Sequence, residues 1–307
     1  MVLTVKKTQV GRRAGDGPMI RAPATTHTIR GRALLTLGWV ALSAVLLAHP
    51  GVRYLLLLPH DWVALTTLTA RVGTTELYLR GGEPTWFVWS PIAALLLAHV
   101  FIPLGYAFWL GLHLASLVII RNWRVAVLAL LSVPFWADTI GGNTFVFVFA
   151  AGVAALSGSR WGAIGYLALC CLVPRPVQLP LALWLLWKRP DVRLPFAAMV
   201  SVTLAVALAT GYLGDWLGVL IAIGRTNDVH FANLSPTKLI GVAWLAIGIP
   251  LSAWLTLKGY VGLAGLAISP YILPAYPLVL LWEWVGRPER SSLANVTVVR
   301  MVATDPT

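Results

Sequence analysis

Long apolar blocks alternate with short polar hinges along the chain. Residues 1–32 are polar and basic, and from Ala33 apolar runs follow one another almost to the end. Charged residues lie between the blocks rather than along one face of them, so the blocks read as helices apolar all round and not as amphipathic stripes. A bilayer admits only helices or closed barrels, and these blocks are too long and continuous for barrel strands. The expected fold is all-α, a polytopic transmembrane helical bundle of about ten membrane segments, a full crossing needing about 20 apolar residues. Several blocks are shorter than that, which implies a thinned or water-filled interior and hence a cavity.

The hinges predict an order. Residues 1–32 form a basic cytoplasmic tail, 33–286 the membrane domain and 287–307 a second cytoplasmic tail. The first crossing covers 33–58, with a break near His49-Pro50. Residues 59–86 carry Asp61, Arg71, Glu76, Arg80 and Glu83 and read as an outside loop. Within it Trp62, Leu65, Leu68 and Val72 share a helical face, which predicts a helix lying on the membrane surface. Residues 87–120 are too long for one crossing, and Arg121 and Arg124 behind them ask for the inside. That combination predicts one net crossing, with 91–103 interfacial or re-entrant. Beyond it, 125–137 runs out to an outside turn at 138–143, and 144–156 returns. Residues 161–173 run out to Pro174-Arg175-Pro176, 177–187 return, and 194–213 run out to a second outside loop at 214–235. Residues 236–257 return, and a last pair of segments turns at 270–274. Trp86, Trp89, Trp282 and Trp284 read as interfacial belts.

Composition sharpens this picture. The chain of 307 residues is 58% hydrophobic and 11% charged, against about 25% charged for a soluble domain. Its mean hydropathy is +0.80. A net charge of +12 first suggests nucleic acid, yet seven Lys and Arg precede Ala33 with Asp16 the only acid among them. This positive-inside pattern places the N-terminus in the cytoplasm, where a basic tail attracts anionic lipid. No nucleic-acid-reading motif accompanies it. The two cysteines, Cys170 and Cys171, are adjacent in an apolar run and predict no structural disulfide. The first apolar run has no cleavage site behind it and reads as a retained helix.

Candidate chemistry gathers on the predicted outside face. An acid beside hydrocarbon is costly and is a functional hypothesis by default. Asp61 is such an acid, and its bland alternative is a loop carboxylate capping the next helix. Asp61 can take a proton from an attacking hydroxyl. Arg175, fixed between two prolines, can pair with a phosphate leaving group, or simply with lipid headgroups. Asn143, after Gly141-Gly142, is a binding residue or an ordinary cap. Asp228 and His230 are binding residues or plain loop. The Asn233-Leu234-Ser235 and Asn295-Val296-Thr297 sequons read as chance matches. No phosphate-binding glycine loop with lysine, no metal-ligand spacing and no nucleophile elbow is present.

The order of these features resembles the GT-C class of integral membrane glycosyltransferases, in particular the bacterial mannosyl- and arabinofuranosyltransferases that use polyprenyl-phosphate sugars. That family's first outside loop carries an acid, a surface helix, a Leu-Tyr pair and a Phe-x-Tyr-x-Pro segment. Here Asp61, Leu77-Tyr78 and Phe87-Val88-Trp89-Ser90-Pro91 stand in those places. The family's Gly-Gln-x-Asn turn is similar to Gly141-Gly142-Asn143, its Lys-Pro turn to Arg175-Pro176, and its late Ser-Pro-Tyr to Ser269-Pro270-Tyr271. The resemblance spans about residues 33–286 and rests on order and spacing. Gly142 replaces glutamine, Arg175 replaces lysine and Trp89 replaces tyrosine.

The resemblance implies an enzyme of the bacterial plasma membrane that moves mannose or a pentofuranose to a lipid or glycan acceptor on the extracytoplasmic face. Asp61 would be the base and Arg175 the donor-phosphate residue, with Tyr78, Trp89, Asn143, Asp228, His230 and Tyr271 as further substrate contacts. It implies no organic cofactor and leaves the need for a divalent metal open. Partners would be the lipid-linked sugar, the acceptor and membrane lipids, with no nucleic acid. The rival expectations are a non-catalytic lipid-binding protein of the same fold and a transporter or flippase of lipid-linked substrates.

Overall fold

A computed structural model of the chain describes residues 29–80, 83–85, 87–226 and 233–285. The described residues are helical apart from one antiparallel pair of two-residue strands, β1 (Leu79–Arg80) and β2 (Glu83–Pro84). The early helices are α1 (Ile29–Ala48), α2 (Pro50–Leu55) and α3 (His60–Thr69), then α4 (Pro91–Leu96) and α5 (Ile102–Ser116) joined by a π turn at Leu97–Phe101. The middle is α6 (Trp123–Leu130), α7 (Val133–Gly141), α8 (Phe145–Leu156), α9 (Arg160–Leu172), α10 (Leu179–Lys188) and α11 (Arg193–Ala209). The last helices are α12 (Leu213–Thr226), α13 (Thr237–Ile240), α14 (Trp244–Leu257) and α15 (Val261–Ile268), followed by a 3-10 segment, Tyr276–Trp284.

Among the described residues two helical stretches, Pro91–Ile119 and Pro190–Ala209, are long and apolar enough to cross a membrane. They become three if α6 and α7, bent by 69° at their junction, count as one span. Large apolar side chains are exposed along α1 and these helices, among them Leu37, Leu104, Val118, Leu194, Val202 and Leu208. Water does not favour such a surface and lipid does.

Two cores organise the molecule. The larger joins Trp39 of α1 with Phe135, Phe145, Phe149, Tyr166, Leu181 and Trp282. Trp282 lies flat against Gly152, where an added Cβ would stand 2.5 Å from the indole, and its Nε1 donates to the Phe149 carbonyl at 3.1 Å. The smaller core joins α3, the aromatic segment before Pro91, the α4–α5 region and α12 through Trp62, Leu65, Tyr78, Trp89, Trp109 and Trp216.

Three sequence expectations change. The apolar face of α3 is covered by protein: Trp62, Leu65 and Leu68 are buried in the smaller core, because Trp109 and Tyr106 of α5 stack against Trp62. The stretch from Pro91 to Ile119 is a kinked helical run, long and apolar enough to cross a membrane. The kink falls at Gly105, whose positive φ of 82° only glycine adopts without strain. Residues 214–226, expected in a loop, are helical within α12. Trp89 and Trp282 are buried core residues, not interfacial belts. The expected break at His49-Pro50 is present, between α1 and α2.

Candidate functional site

Asp61 sits in the first turn of α3, where the positive end of the helix dipole favours a carboxylate. It is half-buried. The turn between α7 and α8 comes up against it. Gly142 there has φ +81°, and an added Cβ would stand 2.6 Å from the Trp62 Cβ. Only glycine lets this backbone lie so close to α3 without strain or overlap. The next residue, Asn143, then reaches Asp61: its Nδ2 donates to Asp61 Oδ2 at 2.9 Å.

Asn143 faces a cation on its other side. Its Oδ1 accepts from Arg175 Nη2, and from the backbone N–H of Thr144 at 2.8 Å. The same Nη2 donates to Thr144 Oγ1 at 3.1 Å. Asp61, Asn143 and Arg175, spread over more than a hundred residues of sequence, thus form one hydrogen-bonded row. The guanidinium also lies over the rings of Phe145 and Tyr276, 5.6 and 5.7 Å from their centroids. Tyr271 packs on Tyr276 with ring centroids 5.7 Å apart. Burial pushes the Tyr271 phenol up, and the nearby Arg175 charge pulls it back.

Local sequence explains why Arg175 is held. Pro176 starts a 3-10 turn, Pro176–Gln178, that ends α9 and leads into α10. Gln178 Oε1 accepts from the Arg175 backbone N–H at 3.0 Å, while the Gln178 N–H donates to the Arg175 carbonyl at 3.0 Å. The first bond is the side-chain half of a capping box, N3 to N-cap, and the second closes the 3-10 turn. Together they pair the Arg175 N–H and carbonyl where the chain turns from one helix into the next.

A second layer lies beneath. Asp138, expected in a solvated outside turn, is a buried residue of α7 at 2% exposure. Its Oδ2 accepts from the Val146 N–H at 2.8 Å and lies 3.8 Å from His113 Nε2. The carboxylate is within electrostatic reach of both Arg175 and Asp61. His113 is fully buried, with Nδ1 2.9 Å from the Trp109 carbonyl and Nε2 2.7 Å from the Asn143 carbonyl. A neutral ring donates to one of these carbonyls at a time, and only the imidazolium serves both. For that state Asp138 is the counter-charge.

An apolar groove of about 390 Å³ runs past Arg175 between α9, α10, α11 and α12. Phe196, Leu204, Trp216 and Leu220 wall it, Cys170 and Cys171 face it as free thiols, and Arg175 and Gln178 lie at its polar end.

Of the residues expected from sequence, the structure brings Asp61, Asn143 and Arg175 together, with Tyr271 beside them. Tyr78 and Trp89 play a different part. Tyr78 is fully buried, donates its hydroxyl to the Trp89 carbonyl at 2.7 Å and packs edge-on against Tyr212. Burial pushes its phenol up, so it stays a neutral donor. The Trp89 ring stacks on Phe87. Both brace the loop: Tyr78's hydroxyl and both rings are taken up in the smaller core. Asp228 and His230 lie outside the described residues. Asn233 is buried and accepts from the N–H groups of Ser235 and Ile272, a fixed link that holds the segment carrying Tyr271. No oligosaccharide can be attached to a side chain so enclosed.

The sequence reading passed over His113, Thr144, Gln178 and Tyr276. His113 could have been found as an ionisable residue inside a long apolar block. Gln178 carried a signal as well, a glutamine three residues after the start of a turn. Among the described residues no group of three or more His, Cys, Asp and Glu side chains is placed to hold a metal ion. Comparison with protein-family models, with curated proteins and with solved structures finds no match for this chain.

Proposed function

We propose that the chain is a glycosyltransferase of the GT-C type in a bacterial plasma membrane, a bundle of about ten segments with its N-terminus in the cytoplasm. It transfers a sugar, mannose or a pentofuranose, from a polyprenyl-phosphate donor to a lipid or glycan acceptor on the extracytoplasmic face. The observation that carries this reading is the row Asp61–Asn143–Arg175, whose arginine also lines an apolar groove.

The reaction follows from the chemistry of that row. Asp61 takes the proton of the acceptor hydroxyl as its oxygen attacks the anomeric carbon. The bond from that carbon to the phosphate oxygen breaks, and its electron pair leaves with the lipid phosphate. The phosphate gains negative charge as it departs, and Arg175 lies where it can stabilise that charge. Direct displacement inverts the anomeric centre. The prenyl chain lies along the groove walled by Phe196 and Trp216. Asn143 keeps base and cation in register through its two opposite hydrogen bonds.

The test uses purified protein, radiolabelled polyprenyl-phosphate-mannose or -arabinofuranose and a bacterial lipid extract. Labelled glycosidic product supports transfer. Movement of the donor across proteoliposomes without product would make the chain a transporter. Binding of the donor with neither outcome would favour the second reading, a lipid-binding protein without chemistry. One observation favours that second reading: the carboxylate of Asp61 and one face of Arg175 are both engaged by Asn143.

A further inference from the structure

Two buried donors near the groove's polar end have no hydrogen-bond partner in the structure. They are Arg175 Nη1 and Gln178 Nε2. Arg175 is 7% exposed and Gln178 1% exposed. A buried donor without a partner is costly, and more so when charged, so native structures rarely keep one without a reason. Both residues line the same groove.

Neither donor is free to turn away. Gln178 uses its Oε1 to accept from the Arg175 backbone N–H at 3.0 Å, which fixes the plane of its carboxamide and leaves the NH2 group without protein acceptors. Arg175 uses Nη2 on Asn143 and Thr144, and the rings of Phe145 and Tyr276 hold the plane of its guanidinium. The same bond anchors the Gln178 side chain to the backbone of Arg175.

We propose that Gln178 is a second anion-binding residue, which with Arg175 makes a two-donor clamp for a tetrahedral oxyanion on an apolar chain. A guanidinium alone recognises charge. A neutral amide beside it adds a donor without adding charge, and so favours an oxygen-rich headgroup such as a phosphate monoester over a lone carboxylate. Both nitrogens are closed off from solvent, so a ligand parts the groove's walls to reach them. The proposal rests on the reading of Arg175 as the donor-phosphate residue and assigns the second contact at that site.

The experiment is equilibrium binding of radiolabelled farnesyl phosphate to the full chain in detergent, with farnesol and inorganic phosphate as competitors. Two variants of Gln178 separate its roles. Gln178→Glu keeps the Oε1 acceptor that caps Arg175 and removes the NH2 donor, and Gln178→Met fills the same volume without polarity. Helix content and elution volume check that both remain folded. A donor to a charged group contributes about 1.5–3 kcal/mol, so farnesyl phosphate should bind about 10- to 100-fold more weakly to Gln178→Glu. Gln178→Met should also weaken it, while farnesol should compete poorly against wild type. Displacement by inorganic phosphate would show that the clamp takes the free anion as well, and lack of it would show that the chain is needed; both are consistent with the clamp. Loss of binding in Arg175→Met with unchanged binding in both Gln178 variants would overturn the clamp and leave the reading of Arg175 standing. Equal competition by farnesol, or no effect of Arg175→Met, would overturn both.

Discussion

At the scale of single residues, Asn143 joins the site. Its side chain hydrogen-bonds both Asp61 and Arg175. Asn143→Ala removes two contacts to charged partners, each of about 1.5–3 kcal/mol. If one of them acts in the transition state, turnover should fall about 10- to 100-fold in a transfer assay. Unchanged turnover would mean that Asp61 and Arg175 do not act together. Gly142 offers a stability test of the same turn. Alanine there must adopt a left-handed backbone and overlap Trp62, which together cost about 2–4 kcal/mol. Thermal unfolding in detergent should show a clear drop in Tm for Gly142→Ala, and a wild-type Tm would contradict the close approach of this turn to α3. The sequence announced Asp61, Asn143 and Arg175 because polar groups are expensive beside hydrocarbon. It could not announce that Tyr78 and Trp89 are bracing residues, since an aromatic side chain reads the same whether it meets a substrate or a core.

At the scale of elements, helix positions were legible and helix environments were not. Apolar block length located α8, α9 and α11 closely. The face of α3 was also seen, yet Trp62, Leu65 and Leu68 are covered by protein where lipid was expected, because periodicity shows that a face is apolar and not what covers it. The 29-residue span from Pro91 to Ile119 defied a simple crossing count. At about 1.5 Å per residue it exceeds the roughly 30 Å hydrocarbon core. The π turn at Leu97–Phe101 and the kink at Gly105 bend it, a tertiary accommodation with no local signature beyond one glycine. The Tyr276–Trp284 segment is pinned by Trp282 against Gly152. Trp282→Ala should cost about 3–5 kcal/mol. Gly152→Ala, which drives a methyl into the indole, should cost about 1–3 kcal/mol. Both are read by chemical denaturation of the detergent-solubilised protein, and a variant as stable as wild type would contradict the packing described.

At the scale of the whole molecule, apolar side chains line much of the outside while polar side chains converge inside, around Asp61, Asp138, Arg175 and His113. This arrangement suits a lipid solvent and an internal site reached from a groove. The chain should therefore sediment with membranes and resist extraction by high salt or alkaline carbonate, and come off only with detergent; release by salt alone would contradict an integral membrane protein. The central claim is that Asp61 is the base of a transfer reaction whose phosphate end is held by Arg175. The most direct measurement is single-turnover consumption of radiolabelled polyprenyl-phosphate sugar by wild type and by Asp61→Asn, each first shown to be folded and to bind the donor. The account predicts product from wild type and a loss of several orders of magnitude in Asp61→Asn with donor binding retained. An Asp61→Asn protein that turns over at the wild-type rate would contradict it.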